Sequence, residues 1–404
     1  MSTLVEENRP TTFMLGSVQS VNVSFASSAG VKLAGTIDFP ATEPVAYAIF
    51  AHCFAGSRHT PGASRISKRL TDYGIATLRF DFPGLGQSGG DFADTSFSQN
   101  ADDICAAYEW MTQNYAAPQL LMGHSLGGAA ALKAAGSLRK LKAVATVGAP
   151  FDPAHSVLHY ADKISEVDAN GEVTVTLGGR DLVISRAFLE DLADTNPEVY
   201  LRKMRKPLML VHSPIDQTVG IDNAQTIFQL TRYSKSLVSL DKADHLLTRE
   251  GAATRAADII GNWVQYHIDP AWVPVRLAEN HVIAESARGL RYGVAAQTRH
   301  GDLKIDRTRA DGGKGRGHSA MELIEAALAA ATTQAAKEAG RKTTLRDVRV
   351  SVVHVHNRTF QRHIHLDGEL SDDERQAILS AARASDIEEL LDGATIVDLN
   401  GELG

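Results

Sequence analysis

Cysteine is nearly absent: Cys53 and Cys105 are the only two in 404 residues. That excludes a disulfide framework and makes a reducing cytoplasm the simplest setting, with both thiols read as small buried hydrophobes. Long apolar runs are missing as well, none approaching the roughly 20 residues needed to span a bilayer. The first twenty residues include Glu6, Glu7, Asn8, Arg9 and Pro10 and lack the basic-then-apolar order of a secretory signal. Positive charge is not in excess either. The formal net charge is -7, 22% of the residues are charged and no basic stripe is evident, so neither nucleic acid nor a membrane is an expected partner. Length, by contrast, is ample: 404 residues exceed one ordinary core and suit two domains, expected over 1–270 and 271–404.

The most informative segment is Gly123-His124-Ser125-Leu126-Gly127-Gly128. It follows the apolar run Leu120-Leu121-Met122 and precedes an Ala-rich stretch from Ala129 to Ala135. This order predicts a strand, a sharp turn and a helix, with a nucleophile at the corner. Gly123 and Gly127 leave room for the turn, and the helix aims its N-terminal amides at any oxyanion formed beside Ser125. A second Gly-His-Ser, at Gly317-His318-Ser319, has Met321 where the first has Gly127, and it carries no catalytic weight. Downstream, Lys206 to His212 reads as a buried strand that runs out at Ser213-Pro214-Ile215-Asp216. Ser236 to Leu240 reads as one more strand, and the loop after it holds His245. The chain order Ser125, Asp216, His245 differs from those of the chymotrypsin and subtilisin types and is that of α/β-hydrolases.

The run Val45 to Ala51 ends in His52-Cys53-Phe54-Ala55-Gly56-Ser57, and the backbone N–H groups of Phe54 and Leu126 are the candidate oxyanion donors. On these residues, roughly the first two-thirds of the chain resembles the α/β-hydrolase superfamily, serine esterase branch. Many relatives have Gly after the loop histidine, where this chain has Cys53. The resemblance implies an α/β fold with a doubly wound, mostly parallel sheet and a chemistry that requires no cofactor and no metal. Gly84-Leu85-Gly86-Gln87-Ser88-Gly89, after the strand Thr77 to Pro83, formally matches the Gly-x-Gly-x-x-Gly of dinucleotide sites. Such a fingerprint opens straight into a helix, whereas Gly90, Asp91 and the polar stretch Asp94 to Gln99 intervene here. In α/β-hydrolases the corresponding loop often reads Asp-x-x-Gly-x-Gly-x-Ser, as Asp81, Gly84, Gly86 and Ser88 do, so a structural loop is expected.

Val21 to Phe39 alternates around a turn at Ser27-Ser28-Ala29-Gly30 and predicts an antiparallel hairpin. Strands then alternate with helices as far as about Val264, the rhythm of a doubly wound sheet. The rhythm breaks between about 151 and 204, where a cap insertion is expected, with a hairpin-like piece from Glu172 to Leu177 and an amphipathic stretch from Ser185 to Leu192. Phe151, Leu158, Phe188 and Leu189 are candidates to line an apolar pocket beneath it, although such residues are more often the core of the cap itself.

A new rhythm starts after Pro270 and Pro274. It includes the Gly-rich loop Asp311 to Gly317, which lacks the Gly-Lys-Ser/Thr ending of a phosphate-binding loop. A long helical pattern from about Ala320 to Ala339, two alternating strands and further helices around Asp372 to Asp392 follow. Asp311-Gly312-Gly313 with Gly317, Glu322-Leu323-Ile324-Glu325-Ala326-Ala327-Leu328-Ala329 and Leu366-Asp367-Gly368-Glu369-Leu370 make this region similar to the OsmC/Ohr family of peroxide-handling α+β proteins. The positions matching that family's two cysteines are Ala331 and Ser385, so the thiol route to peroxide reduction is not expected. What the resemblance still implies is an intertwined fold that dimerises the chain. His354, His356, His363 and His365 alternate on the two strands. With His356 opposite His363 all four would share one sheet face, where zinc could bind, although strand histidines on a polar face or dimer seam are commoner.

The sequence therefore predicts a serine carboxylesterase acting on small carboxylic esters. The alternatives are an acyltransferase or thioesterase using the same three residues and, in another class, a thiol peroxidase using Cys53 or Cys105.

Overall fold

The computed structural model describes residues 19–40, 43–156, 171–177, 180–269, 282–286, 291–298, 301–315, 317–356 and 359–393. These fall into two compact units, one up to residue 269 and one from 282.

The first unit opens with a hairpin, β1 (Gln19–Ala26) paired antiparallel with β2 (Lys32–Phe39). Its turn is fixed by the Ser27 hydroxyl, which accepts the amides of Ala29 at 3.2 Å and Val31 at 2.9 Å. Then follow β3 (Ala46–Ala51), α1 (Pro61–Leu70), β4 (Ile75–Phe80), α2 (Phe97–Asn114), β5 (Leu120–His124), α3 (Leu126–Ala135) and β6 (Ala143–Val147). An inserted segment holds the hairpin β7 (Glu172–Leu177) and β8 (Arg180–Ser185) with helices α4 (Arg186–Ala193) and α5 (Pro197–Met204). The sheet resumes with β9 (Leu208–His212), α6 (Ile221–Leu230), β10 (Lys235–Ser239) and α7 (Ala252–Val264). The eight sheet strands run in the order β1-β2-β4-β3-β5-β6-β9-β10, parallel from β4 through β10.

Every residue of β4, β5, β6 and β9 is buried, which is why these strands are mostly apolar; the buried Arg79 of β4 is paired with Asp38. Alternate side chains serve opposite layers. Ile49, Leu121, Val144 and Leu210 pack with α2, α3 and α6, whereas Phe50, Leu120, Met122, Met209 and Val211 pack with α1 and α7. One consequence places the site: the C-terminal ends of the parallel strands all open on the same edge, and the loops after β3, β5, β9 and β10 meet there.

The inserted segment shares the larger of these cores through Val175, Ile184, Phe188, Leu192 and Leu201. The carboxylate of Asp191 on α4 accepts the Ser98 amide at 2.6 Å and its hydroxyl at 2.5 Å, and Lys133 on α3 donates to that hydroxyl at 2.6 Å. Phe188 is fully buried between the rings of Phe54 (5.7 Å) and Phe92 (5.6 Å), so it is core. Phe151 and Leu189 are half-buried against the same core. Leu158 lies outside the described residues.

The second unit contains a three-stranded antiparallel sheet, β11 (Ile283–Ser286), β12 (Val294–Thr298) and β13 (Gly301–Ile305). It also contains α8 (Ala320–Ala339), the hairpin β14 (Leu345–His356) and β15 (Thr359–Gly368), α9 (Asp372–Ala382) and α10 (Asp386–Gly393). Ser319 with Glu322, and Ser371 with Glu374, form reciprocal caps that start α8 and α9. Ala336, Val348, Leu366, Ile378 and Ala382 form its core.

The hairpin register corrects one expectation. His356 lies opposite Thr359, not His363; His363 faces Ser351 and His365 faces Arg349. His354 pairs with Phe360, on the face that carries the core residues Val348 and Leu366, while His363 and His365 lie exposed on the other. The apolar face dictates this register, because Val348 must meet Leu366 for either to be buried. Among the described residues no group of His, Cys, Asp or Glu is arranged to hold a metal ion.

Candidate active site

Strand β5 ends at His124, and Ser125 turns the chain into α3 with φ 54° and ψ −128°. Such a conformation in a non-glycine residue costs about 1–3 kcal/mol and persists only where its surroundings enforce it. Here the Ser125 amide donates to the Val147 carbonyl of β6 at 2.9 Å, and its carbonyl accepts the Gly128 amide at 2.8 Å. Gly127 is required for a second reason: a Cβ there would run into the main-chain carbonyl of His52. Its absence lets the first turn of α3 lie flush on the end of β3, beside the 52–57 loop. In that loop Gly56 donates to the Cys53 carbonyl at 2.9 Å and Ala55 has φ 57°, a tight turn. Among the described residues neither the Phe54 amide nor the Leu126 amide has an acceptor.

The structure brings Ser125, His245 and Asp216 together from three loops. His245 Nε2 lies 2.9 Å from Ser125 Oγ, and its Nδ1 lies 2.7 Å from Asp216 Oδ2. The other oxygen, Asp216 Oδ1, accepts the amides of Thr218 at 2.9 Å and Val219 at 3.0 Å. Burial pushes this carboxyl up, but the hydrogen bonds from His245 and from the Val219 and Thr218 amides outweigh it and hold it below its usual range. An ionised Asp216 keeps the proton of His245 on Nδ1, which leaves the Nε2 lone pair facing the serine hydroxyl. Gly148, after β6, has φ 56°, and a Cβ there would stand 3.3 Å from Asp216 Oδ2 and 3.5 Å from His245 Nδ1, so glycine leaves the pair its space.

Three further histidines surround this group, and sequence reasoning assigned them no part. His124 Nε2 donates to the His245 carbonyl at 2.7 Å. His212 Nε2 donates to the Val219 carbonyl at 2.8 Å, fixing the turn that supports Asp216. His52 donates through Nδ1 to the Cys53 carbonyl at 2.7 Å and accepts the Phe82 amide on Nε2 at 3.3 Å. The available signal was position: each stands at the C-terminal end of a parallel strand, at or next to its last residue.

These imidazoles make stability depend on pH. Burial lowers all three below the usual 6.5; in His124, burial together with the neighbouring His245 brings the value to about 4. A histidine with a depressed folded value takes up its proton on unfolding, so this stability is fully present above pH 6.5 and is lost as pH falls towards 4. Calorimetry between pH 7 and pH 4.5 should show Tm falling by roughly 5–10 °C. A flat Tm across that range would mean that the three rings titrate normally.

The glycine-rich loop after β4 holds structure together. Asp81, fully buried, pairs with the Arg58 guanidinium and accepts the amides of Arg58 at 2.6 Å and Gln87 at 2.9 Å. Ser88 donates to the Asp81 carbonyl at 2.6 Å and accepts the Ala34 amide at 2.9 Å. Removing one partner of such a buried pair costs about 3–5 kcal/mol. No helix among the described residues is long and apolar enough to cross a membrane.

Comparison with known proteins agrees with this geometry. The family described as serine aminopeptidase, S33, matches residues 42–177. The esterase domain of a Rhodothermus marinus protein is 44% identical, with a TM-score of 0.51, over 62% of this chain and 99% of that one. Est1E from Butyrivibrio proteoclasticus, solved with ferulic acid bound, is 21% identical with a TM-score of 0.50, over 61% of this chain and 98% of its own. Mouse alpha/beta hydrolase domain-containing protein 10 is 20% identical with a TM-score of 0.50, over 61% and 99%. These last two are alike in fold alone. No curated protein matches the chain. With almost the whole of a 44%-identical esterase domain covered, and with this sheet order and strained serine turn, the chain belongs to the α/β-hydrolase superfamily and carries one of its esterase domains.

Proposed function

We propose that the chain is a serine carboxylesterase that cleaves small carboxylic esters through an acyl-enzyme on Ser125. The observation that carries this reading is His245 bridging Asp216 at 2.7 Å and Ser125 at 2.9 Å in the orientation of a general base. His245 takes the Ser125 proton as Oγ attacks the ester carbonyl, and the Phe54 and Leu126 amides receive the oxyanion. The alcohol leaves with that proton. Water, activated by His245, then releases the acid. General base catalysis contributes about 10²–10⁴-fold, and each oxyanion donor on the order of 10²–10³-fold. No cofactor enters the scheme.

The thiol peroxidase alternative fares poorly. Burial raises both Cys53 and Cys105 to about 11, helped at Cys105 by the charges of Asp102 and Glu109. Neither thiol therefore holds much thiolate at neutral pH. Both are free, in keeping with a cytoplasmic setting.

The second unit we read as an OsmC-like domain that dimerises the chain. In its support, Val353 (48% exposed) and Val355 (45%) on β14, with Met321 and Ile324 on α8, leave apolar surface uncovered. Ser385 and Ala331, at the positions of that family's cysteines, remove the thiol route. Sedimentation of the pure protein as a monomer would contradict the dimer.

The test of the reaction class is a panel of p-nitrophenyl esters, acyl-CoA thioesters and alcohol acceptors. Short-chain esters should turn over at least about 10-fold faster, in kcat/KM, than any thioester, with water preferred to added alcohol. Faster thioester cleavage, or transfer to alcohol exceeding hydrolysis, would replace the esterase reading with the thioesterase or acyltransferase one.

A further inference from the structure

The loop that delivers His245 is an awkward piece of chain. Lys242 and Leu247 both take positive φ (61° and 56°), and β10 before it is only half-buried. Much of its support is internal: the Asp244 carboxylate accepts the Thr248 amide at 3.1 Å, its hydroxyl at 2.9 Å and the Arg249 amide at 3.0 Å. From outside, Ser213 Oγ on the acid-bearing side donates to the Ala243 carbonyl at 2.7 Å. The His245 carbonyl is held by His124, at 2.7 Å, from the nucleophile strand.

We infer that His124 is a positioning residue for the reaction: its Nε2–H grips the main-chain carbonyl of His245 and so fixes the imidazole of the base relative to the neighbouring Ser125. This rests on the serine esterase reading above. His124 is 3% exposed, and its ring sits 5.1 Å from that of His245, tilted by 39°. Because His124 and Ser125 are consecutive, one dipeptide carries both the nucleophile and the donor that sets the base, so a shift of the turn moves both together. A main-chain carbonyl can only accept, so His124 must present Nε2–H, whichever charge His245 carries during the cycle. Without that donor the part-buried carbonyl loses its partner and the loop relaxes. A displacement near 1 Å is enough to cost about 10²-fold in rate.

Three substitutions separate donor chemistry from packing. Glutamine can place an amide nitrogen near the position of Nε2; asparagine is too short to reach, and phenylalanine fills the space without a donor. kcat and KM on p-nitrophenyl butyrate, Tm and the rate of fluorophosphonate labelling would be measured for wild type, His124→Gln, His124→Asn and His124→Phe. Asn and Phe should lower kcat about 10²-fold with KM within about 2-fold, and Gln should recover to within about 5-fold of wild type whatever its Tm. Equal losses in folded Gln and Asn variants, or an Asn variant within about 3-fold of wild type, would overturn the inference. Should Phe fail to fold, the Gln and Asn pair still decides. If wild-type Ser125 itself takes no label, the esterase reading fails and this inference falls with it.

Discussion

Replacing Asp216 with asparagine is expected to lower kcat about 10⁴-fold while the fold and KM stay close to wild type. The reason lies in which atom faces which. Asp216 Oδ1 accepts two amides, from Thr218 at 2.9 Å and Val219 at 3.0 Å, and only an oxygen can take that place. An asparagine must therefore put its carbonyl there and turn its NH₂ towards His245 Nδ1, which lies 2.7 Å from Asp216 Oδ2. Nδ1 then has to accept, the proton moves to Nε2, and Nε2 presents a donor to Ser125 instead of a lone pair. The substitution barely changes volume, so the loss would come from the wrong tautomer. Steady-state kinetics with a short-chain p-nitrophenyl ester would show it. Retention of more than about a tenth of wild-type kcat would mean that His245 does not depend on Asp216 for its orientation.

The Ser125→Ala variant is expected to lose about 10⁵–10⁶-fold in kcat, leaving only what the oxyanion donors and binding supply over water. Alanine keeps a Cβ and takes the same strained φ of 54° under the same constraints, so Tm should move by no more than about 2 °C. The pairing of lost turnover with kept stability is the informative part, because a turn that collapsed would lose both. Substantial hydrolysis by the folded alanine variant would place the chemistry elsewhere.

Much of this site is legible in the sequence because the elements that carry it announce themselves locally. Fully buried parallel strands show as mostly apolar runs, and the run at Leu120 with glycines on both sides of Ser125 marks the turn without help from distant residues. The three catalytic candidates are marked by chain order at strand ends, and the long helix from Ala320 to Ala339 by its helical pattern. The roles of His124, His212 and His52 were not legible, since each donates to a main-chain carbonyl, and any residue type offers one. Gly148 was invisible for a similar reason: what it avoids, Asp216 and His245, comes from far along the chain. For Phe188 the sequence leaves pocket and cap core both open, core being the commoner, because an amphipathic helix shows which face is apolar but not what covers it; Phe54 and Phe92 do. The histidine register failed because a hairpin pairs its strands by burying Val348 against Leu366, and irregularities at Leu345/Asp347 and His354/His356 shift the count that simple alternation assumes.

The most direct measurement is trapping the acyl-enzyme. Wild-type protein mixed with a p-nitrophenyl ester and quenched in acid within milliseconds should carry one acyl group per chain, located by peptide mass spectrometry on Ser125 and missing in Ser125→Ala. Acylation of another residue, or ester turnover with no acylated protein at any quench time, would contradict the mechanism.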